Sequence, residues 1–160
     1  MRGIQNQAML KMIAVAGLLV LGAAGSAAGA TPYGFNVRVT LTPKAAARVA
    51  AAHKQVEVVV FYEGEPGPGQ DRHADDTTGQ IDVGTERILL PGAGGVAVVT
   101  GNAVNPARLK WVKPGSLQMY ANINPPIPTN VQLICLPLPF GNLPAVAGRT
   151  FDVTCKLQGE

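Results

Sequence analysis

The chain has 160 residues, of which 14% are charged, with 19 Gly and 13 Pro and a formal net charge of +3. Sparse charge and abundant Gly and Pro argue against a helical bundle and favour many short strands joined by tight turns. The basic balance belongs partly to the N-terminus: without Arg2 and Lys11, 11 basic side chains face 10 acidic ones. A charge of +1 gives no footprint for nucleic-acid binding.

Residues 1–30 read as a secretory signal peptide. Arg2 and Lys11 supply a positive n-region, and MIAVAGLLVL from Met12 to Leu21 is an apolar run too short to span a bilayer. Ala28-Gly29-Ala30 fits the small-x-small cleavage rule, so the mature chain is expected to begin at Thr31. Neither cysteine lies near the cut, which leaves no thiol for a lipid anchor. The expected destination is the periplasm or the medium, where disulfides persist. No later stretch has the ~20 apolar residues of a membrane helix. Residues 31–160 are long enough for one domain with its own core.

Phe35, Val37, Val39 and Leu41 alternate with polar residues, the signature of a half-buried strand. Thr42-Pro43 reads as an N-cap and an N1 proline, opening a short helix near 43–53 that ends at His53. There a cation complements the helix dipole. Gln55 to Glu63 is apolar enough at its centre for an interior strand. Residues 64–79 lack periodicity and form a long loop, of the length that is either functional or disordered. Strand character returns over Gln80 to Leu90, with a bulge or turn at Gly84. Further strands are expected at Val96 to Thr100, at 108–113 (RLKWVK) and at Leu117 to Ile123. Asn124-Pro125-Pro126-Ile127-Pro128 reads as an extended linker. Val131 to Leu136 and Thr150 to Leu157 are the last strands, either neighbours or on opposite sheets. They carry Cys135 and Cys155, the only cysteines, expected to form a disulfide.

Seven or eight short strands and one small helix add up to a mainly β, single-domain antiparallel β-sandwich. The plan evokes the architecture of transthyretin-like and immunoglobulin-like modules. The immunoglobulin order of Cys, Trp and Cys is not met, because Trp111 precedes both cysteines. Architecture of this kind does not give function.

Three places hold candidate chemistry. Asp71, His73, Asp75 and Asp76 bring three carboxylates and an imidazole within six positions. Their oxygens suit Ca²⁺ or Mn²⁺, and His73 favours Zn²⁺ or Cu²⁺. The spacing fits no EF-hand register, and a solvated acidic loop is the simpler account. Arg108, Lys110 and Lys113 surround Trp111, the only tryptophan, and suit an anionic glycan, a lipid headgroup or an acidic partner. If this segment is a strand, Leu109 and Trp111 share the face opposite Arg108 and Lys110, as in a guarded edge. The acidic loop and this basic segment are also candidates to meet each other. Tyr120, Asn122 and Asn124, with the prolines that follow, offer a recognition groove or simply rigid connections.

Catalytic signatures are missing: no nucleophile elbow, zinc-protease helix, phosphate loop or dinucleotide fingerprint occurs. Glu57 and Glu63 would share a strand face but stand ~20 Å apart, too far for paired glycosidase carboxylates. The expected function is therefore a non-catalytic binding or accessory module of the bacterial cell envelope, recognising a protein or glycan through residues 64–79. Two alternatives are an envelope metal-binding protein using the Asp/His loop, and an assembly subunit adding through an edge strand. No cofactor is implied beyond a divalent cation at that loop.

Overall fold

The computed structural model describes residues 32–125, 130–143 and 145–160. The leader, its cleavage site and most of the Pro125 to Pro128 linker lie outside the described residues. Two four-stranded sheets pack face to face as a β-sandwich-like fold. Strand β1 (Phe35–Leu41) turns Phe35, Val37, Val39 and Leu41 into the core. It leads into helix α1 (Pro43–Ala51), where the Thr42 hydroxyl accepts from the Ala45 amide at 3.2 Å. His53 adopts a left-handed φ of 51° just past the helix. Its amide bonds the Ala50 carbonyl and that of Lys54 bonds Val49, a Schellman closure in which histidine occupies the usual glycine place. That backbone role adds to the charge complementarity expected of His53.

Strand β2 (Val56–Gly64) buries Val56, Val58, Val60 and Tyr62 on one face and leaves Glu57, Val59, Phe61 and Glu63 on the other. It pairs antiparallel with β3 (Ile81–Leu90) and β5 (Gln118–Asn124), and β5 pairs with β7 (Phe140–Asn142), giving the order β3-β2-β5-β7. The other sheet runs β4-β1-β8-β6, with β4 (Gly94–Val99), β6 (Leu133–Leu136) and β8 (Thr150–Leu157).

Three expectations need correction. The sheets are not purely antiparallel, because β1 and β8 run parallel from Asn36↔Thr150 to Leu41↔Cys155. These two strands are separated by the whole of the other sheet in sequence, so no hairpin dictates their direction. Residues 108–113 are not a strand: Asn105 caps a short helix, α2 (Pro106–Leu109), and turns follow. The alternation of faces expected there does not apply. The segment joining the two cysteine strands also carries a strand, β7, which crosses to the opposite sheet.

Cys135 and Cys155 face each other in register on β6 and β8 and form the expected disulfide. With a sequence separation of 20, the crosslink stabilises by about 3 kcal/mol in the chain-entropy model. Among the described residues no charged or amide side chain is buried in the core, and Tyr62 brings its hydroxyl to the edge of it. The bulge expected at Gly84 is present: Tyr62 pairs with Gly84, but Glu63 pairs with Asp82. Gly84 has a φ of 155° and packs so closely on the Ala103 carbonyl that a Cβ has no room.

The sheets are fastened at one end by Glu86. Its carboxylate accepts from the Thr100 amide (2.8 Å), the Thr100 hydroxyl (2.9 Å), the Gly101 amide (3.0 Å) and the Tyr62 hydroxyl (3.3 Å). Burial, together with the neighbouring Glu86 carboxylate, pushes the Tyr62 phenol well above its ordinary value near 10. A raised folded-state value means the phenol stabilises the fold fully below about pH 10, and that contribution is lost as pH climbs above it. Glu86→Ala is expected to cost about 2–3 kcal/mol by stranding these donors, lowering Tm by roughly 5–10 °C. Glu86→Gln, which keeps one acceptor oxygen, costs less. Tyrosine absorbance during alkaline titration checks the same contact, since Tyr62 is expected to ionise only as the fold opens. Equal melting of all three proteins would show that the clip does not hold the sheets.

Candidate functional site

The 64–79 loop is folded against the segment that follows α2. The Gly67 amide bonds the Trp111 carbonyl at 2.7 Å, and the Lys113 amide bonds the Glu65 carbonyl at 2.8 Å. Pro66 and Val112 bridge between these bonds. Lys113 Nζ reaches the Glu65 carboxylate at 2.8 Å, which raises the lysine above its ordinary value. A single turn of 3₁₀ helix, Asp71–His73, then carries the imidazole over the indole. The His73 and Trp111 rings stack with centroids 3.8 Å apart and planes within 2°. Arg72 Nε donates to His73 Nε2 at 3.2 Å, and Lys110 Nζ lies 6.0 Å from the Trp111 ring centre.

Asp75 closes the rest of the loop. Its Oδ1 accepts from the Thr77 and Thr78 amides at 2.9 Å each, and these bonds hold the carboxyl below its usual range. Its backbone bonds Gln80 and Gly79 at 2.8 Å. The turn is therefore intact above the ordinary carboxylate range and loosens only when pH falls through the depressed value. Across from it, Arg108 Nη1 donates to Asp82 Oδ2 at 2.6 Å and to the Asp82 carbonyl at 3.2 Å. Both side chains are about half exposed, so the pair contributes under about 1 kcal/mol to folding and serves mainly to aim the guanidinium.

These pieces enclose a cleft of about 320 Å³ lined by His73, Ala74, Asp75, Asp82, Arg108 and Trp111. The acidic loop and the basic segment thus form one site rather than two. Asp71 and Asp76 are exposed and lie outside its lining, while Lys110 borders it through Trp111 and Lys113 is turned to Glu65. Among the described residues no three His, Cys, Asp or Glu groups converge as a metal site. Glu57, Glu63 and Glu65 are each engaged, with Arg87, Gln118 and Lys113. Asp82 was not singled out by sequence, although its place on an alternating strand marks it as outward-facing. Asn105-Pro106 was the overlooked signal for α2.

A second cleft of about 280 Å³ lies beside the first segment of the loop, lined in part by Glu65, Gln80, Lys113, Gln118 and Asn142. In it the Gln80 side-chain oxygen is buried with no hydrogen-bond partner among the described residues. No helix of the described residues is long and apolar enough to cross a membrane. The chain matches no protein-family model, no curated protein sequence and no solved structure, so functional argument rests on this geometry.

Because Trp111 is the only tryptophan, its fluorescence reports on the cleft directly. His73→Ala is expected to red-shift and brighten the emission while costing less than about 1.5 kcal/mol of stability. Unchanged emission would mean that the rings do not stack in solution.

Proposed function

We propose that this chain is an exported, non-catalytic binding module of the bacterial cell envelope, and that its cleft receives a glycan. The observation that carries the reading is the stacked His73–Trp111 wall facing the Arg108–Asp82 fork across about 320 Å³. That volume lies at the small end of ligand pockets and suits one sugar ring. A sugar offers an apolar C–H face and several hydroxyls. The indole edge and the imidazole ring supply a flat aromatic wall, Asp75 and Asp82 accept, and the Arg108 fork has donors beyond the Nη1 committed to Asp82. The carboxylates around the cleft are tied to turns or cations, which favours holding a ligand over transferring its protons. The leader-like residues 1–30 and the Cys135–Cys155 disulfide support export.

Arg108→Gln and Asp75→Asn are the tests, since Asn keeps the acceptor that the Thr77 and Thr78 amides need. Each is expected to weaken capture of envelope glycans about tenfold, or ~1.4 kcal/mol, with Tm nearly unchanged. Capture of a protein that survives glycan competition would replace the glycan with a polypeptide, and capture unaffected by both variants would dismiss the cleft. Mass spectrometry of the exported chain is expected to find Thr31 at its start.

A second reading, an assembly subunit, draws on the edges of the β4-β1-β8-β6 sheet. Val96 and Val98 on β4 and Leu136 on β6 are 48%, 62% and 59% exposed, leaving apolar side chains on strands with an open side. Sedimentation velocity at rising concentration is expected to show oligomers that Leu136→Lys disperses. A monomer throughout removes this reading.

A further inference from the structure

The outer face of the β3-β2-β5-β7 sheet carries two parallel cross-strand rows. Asp82, Glu63, Gln118 and Asn142 are successive register partners across the four strands. Two residues along on β2, β5 and β7, the next row is Thr85, Phe61, Tyr120 and Phe140. The bulge before Gly84 keeps both Asp82 and Thr85 in these rows, three positions apart on β3. The rows lie about 7 Å apart and cross about 14 Å of sheet. Phe61 and Tyr120 stack at 4.8 Å with planes 15° apart, and Phe140 beside them is 62% exposed. Gln118 Nε2 donates to Glu63 Oε1 at 3.2 Å, holding the polar row in order.

The row joins two concavities. At one end Asp82 lines the Trp111 cleft, and at the other Gln118 and Asn142 line the cleft that holds the unpartnered Gln80 oxygen. Arg87 pairs with Glu57 and Arg108 with Asp82, which leaves Glu63, hydrogen-bonded to the Gln118 amide, as the carboxylate of this face not paired with a cation among the described residues. Partial burial, with Glu63 and Asp82 nearby, holds the Tyr120 hydroxyl above its ordinary value. With its other charges paired and one carboxylate in excess, such a face favours an uncharged ligand rich in hydroxyl donors over an anionic one.

We infer that this face is a track for an extended, uncharged polysaccharide crossing the strands. Sugar C–H surfaces rest against the outer edges of the stacked Phe61–Tyr120 pair and the exposed Phe140 ring, and hydroxyls bond the Asp82–Glu63–Gln118–Asn142 row. The inference extends the glycan reading of the Trp111 cleft and rests on it, with that cleft receiving one end of the chain.

Isothermal titration of the oxidised protein tests it with cellohexaose, maltohexaose, mannohexaose and chitohexaose, their disaccharides, and a hyaluronan hexasaccharide as the polyanion. One uncharged hexasaccharide is expected to bind at least tenfold more tightly than its disaccharide. Phe140→Ser and Gln118→Ala, both at solvent-facing positions, are expected to weaken it at least fivefold with Tm preserved. Arg108→Gln separates the two sites. Binding that depends on Arg108 but not on chain length, Phe140 or Gln118 overturns the track and leaves the cleft. Binding that depends on Phe140 and Gln118 but not Arg108 leaves the track and removes the cleft from it. Tighter binding of hyaluronan, or no binding by any uncharged hexasaccharide, overturns the proposal.

Discussion

One carboxylate sets the geometry on which the site depends. Glu86 sits on β3 yet accepts from Thr100 and Gly101, the residues that leave β4 of the opposite sheet. Fixing that exit delivers the following segment onto β3, where the Asn105 amide bonds the Val83 carbonyl at 2.9 Å and Gly84 admits the Ala103 carbonyl. From there the chain has little choice. Asn105 and Pro106 start α2, Arg108 lands beside Asp82, and Trp111 meets Gly67 and the His73 ring. A charged acceptor at the rim of an apolar core is costly unless satisfied, and here its hydrogen bonds are also the joint between the sheets.

The parts of this arrangement that were legible in sequence are local. Alternation over Phe35 to Leu41 and the Thr42-Pro43 cap write their structures within a few residues, and the two cysteines needed only an oxidising compartment. Asn105-Pro106 carries the same cap-and-proline chemistry as Thr42-Pro43, but four helical residues give no helical period to read. Meanwhile the order Arg108, Leu109, Lys110, Trp111 imitates strand alternation, and a window that short serves either structure. The parallel pairing of β1 with β8 and the crossing of β7 to the other sheet depend on partners 20 or more residues away, which no local pattern encodes.

The functional residues divide in the same way. Sequence grouped Asp71, His73, Asp75 and Asp76 because they are close in the chain. Folding splits them: His73, stacked on Trp111, and Asp75, tied by Oδ1 to its own turn, line the cleft, while Asp71 and Asp76 stay in solvent. What assembles instead is a set from three segments, with Asp82 contributed by a strand whose outward residues looked merely solvated. A cluster in sequence is a statement about composition, whereas a site requires convergence, and convergence here is supplied by the loop bonds to 111–113.

The two sheets also divide their labour. Outward residues in the middle of the β4-β1-β8-β6 sheet are short or paired, as with Thr40, Thr154 and the Arg38–Asp152 bridge, and its inner face holds the disulfide. The other sheet leaves a stacked aromatic pair and a row of amides and carboxylates facing water. The stacked Phe61–Tyr120 pair also steadies the sheet across its strands, whereas Phe140, 62% exposed, contributes little to the fold. Strand pleating turns residues spaced by two in sequence into parallel rows across a sheet, so a ligand crossing the strands meets one polar and one mainly aromatic row side by side. With a crosslink in one sheet and the Glu86 joint between the two, the outer face of the other sheet is held in place beside the cleft, which is what the proposed track requires.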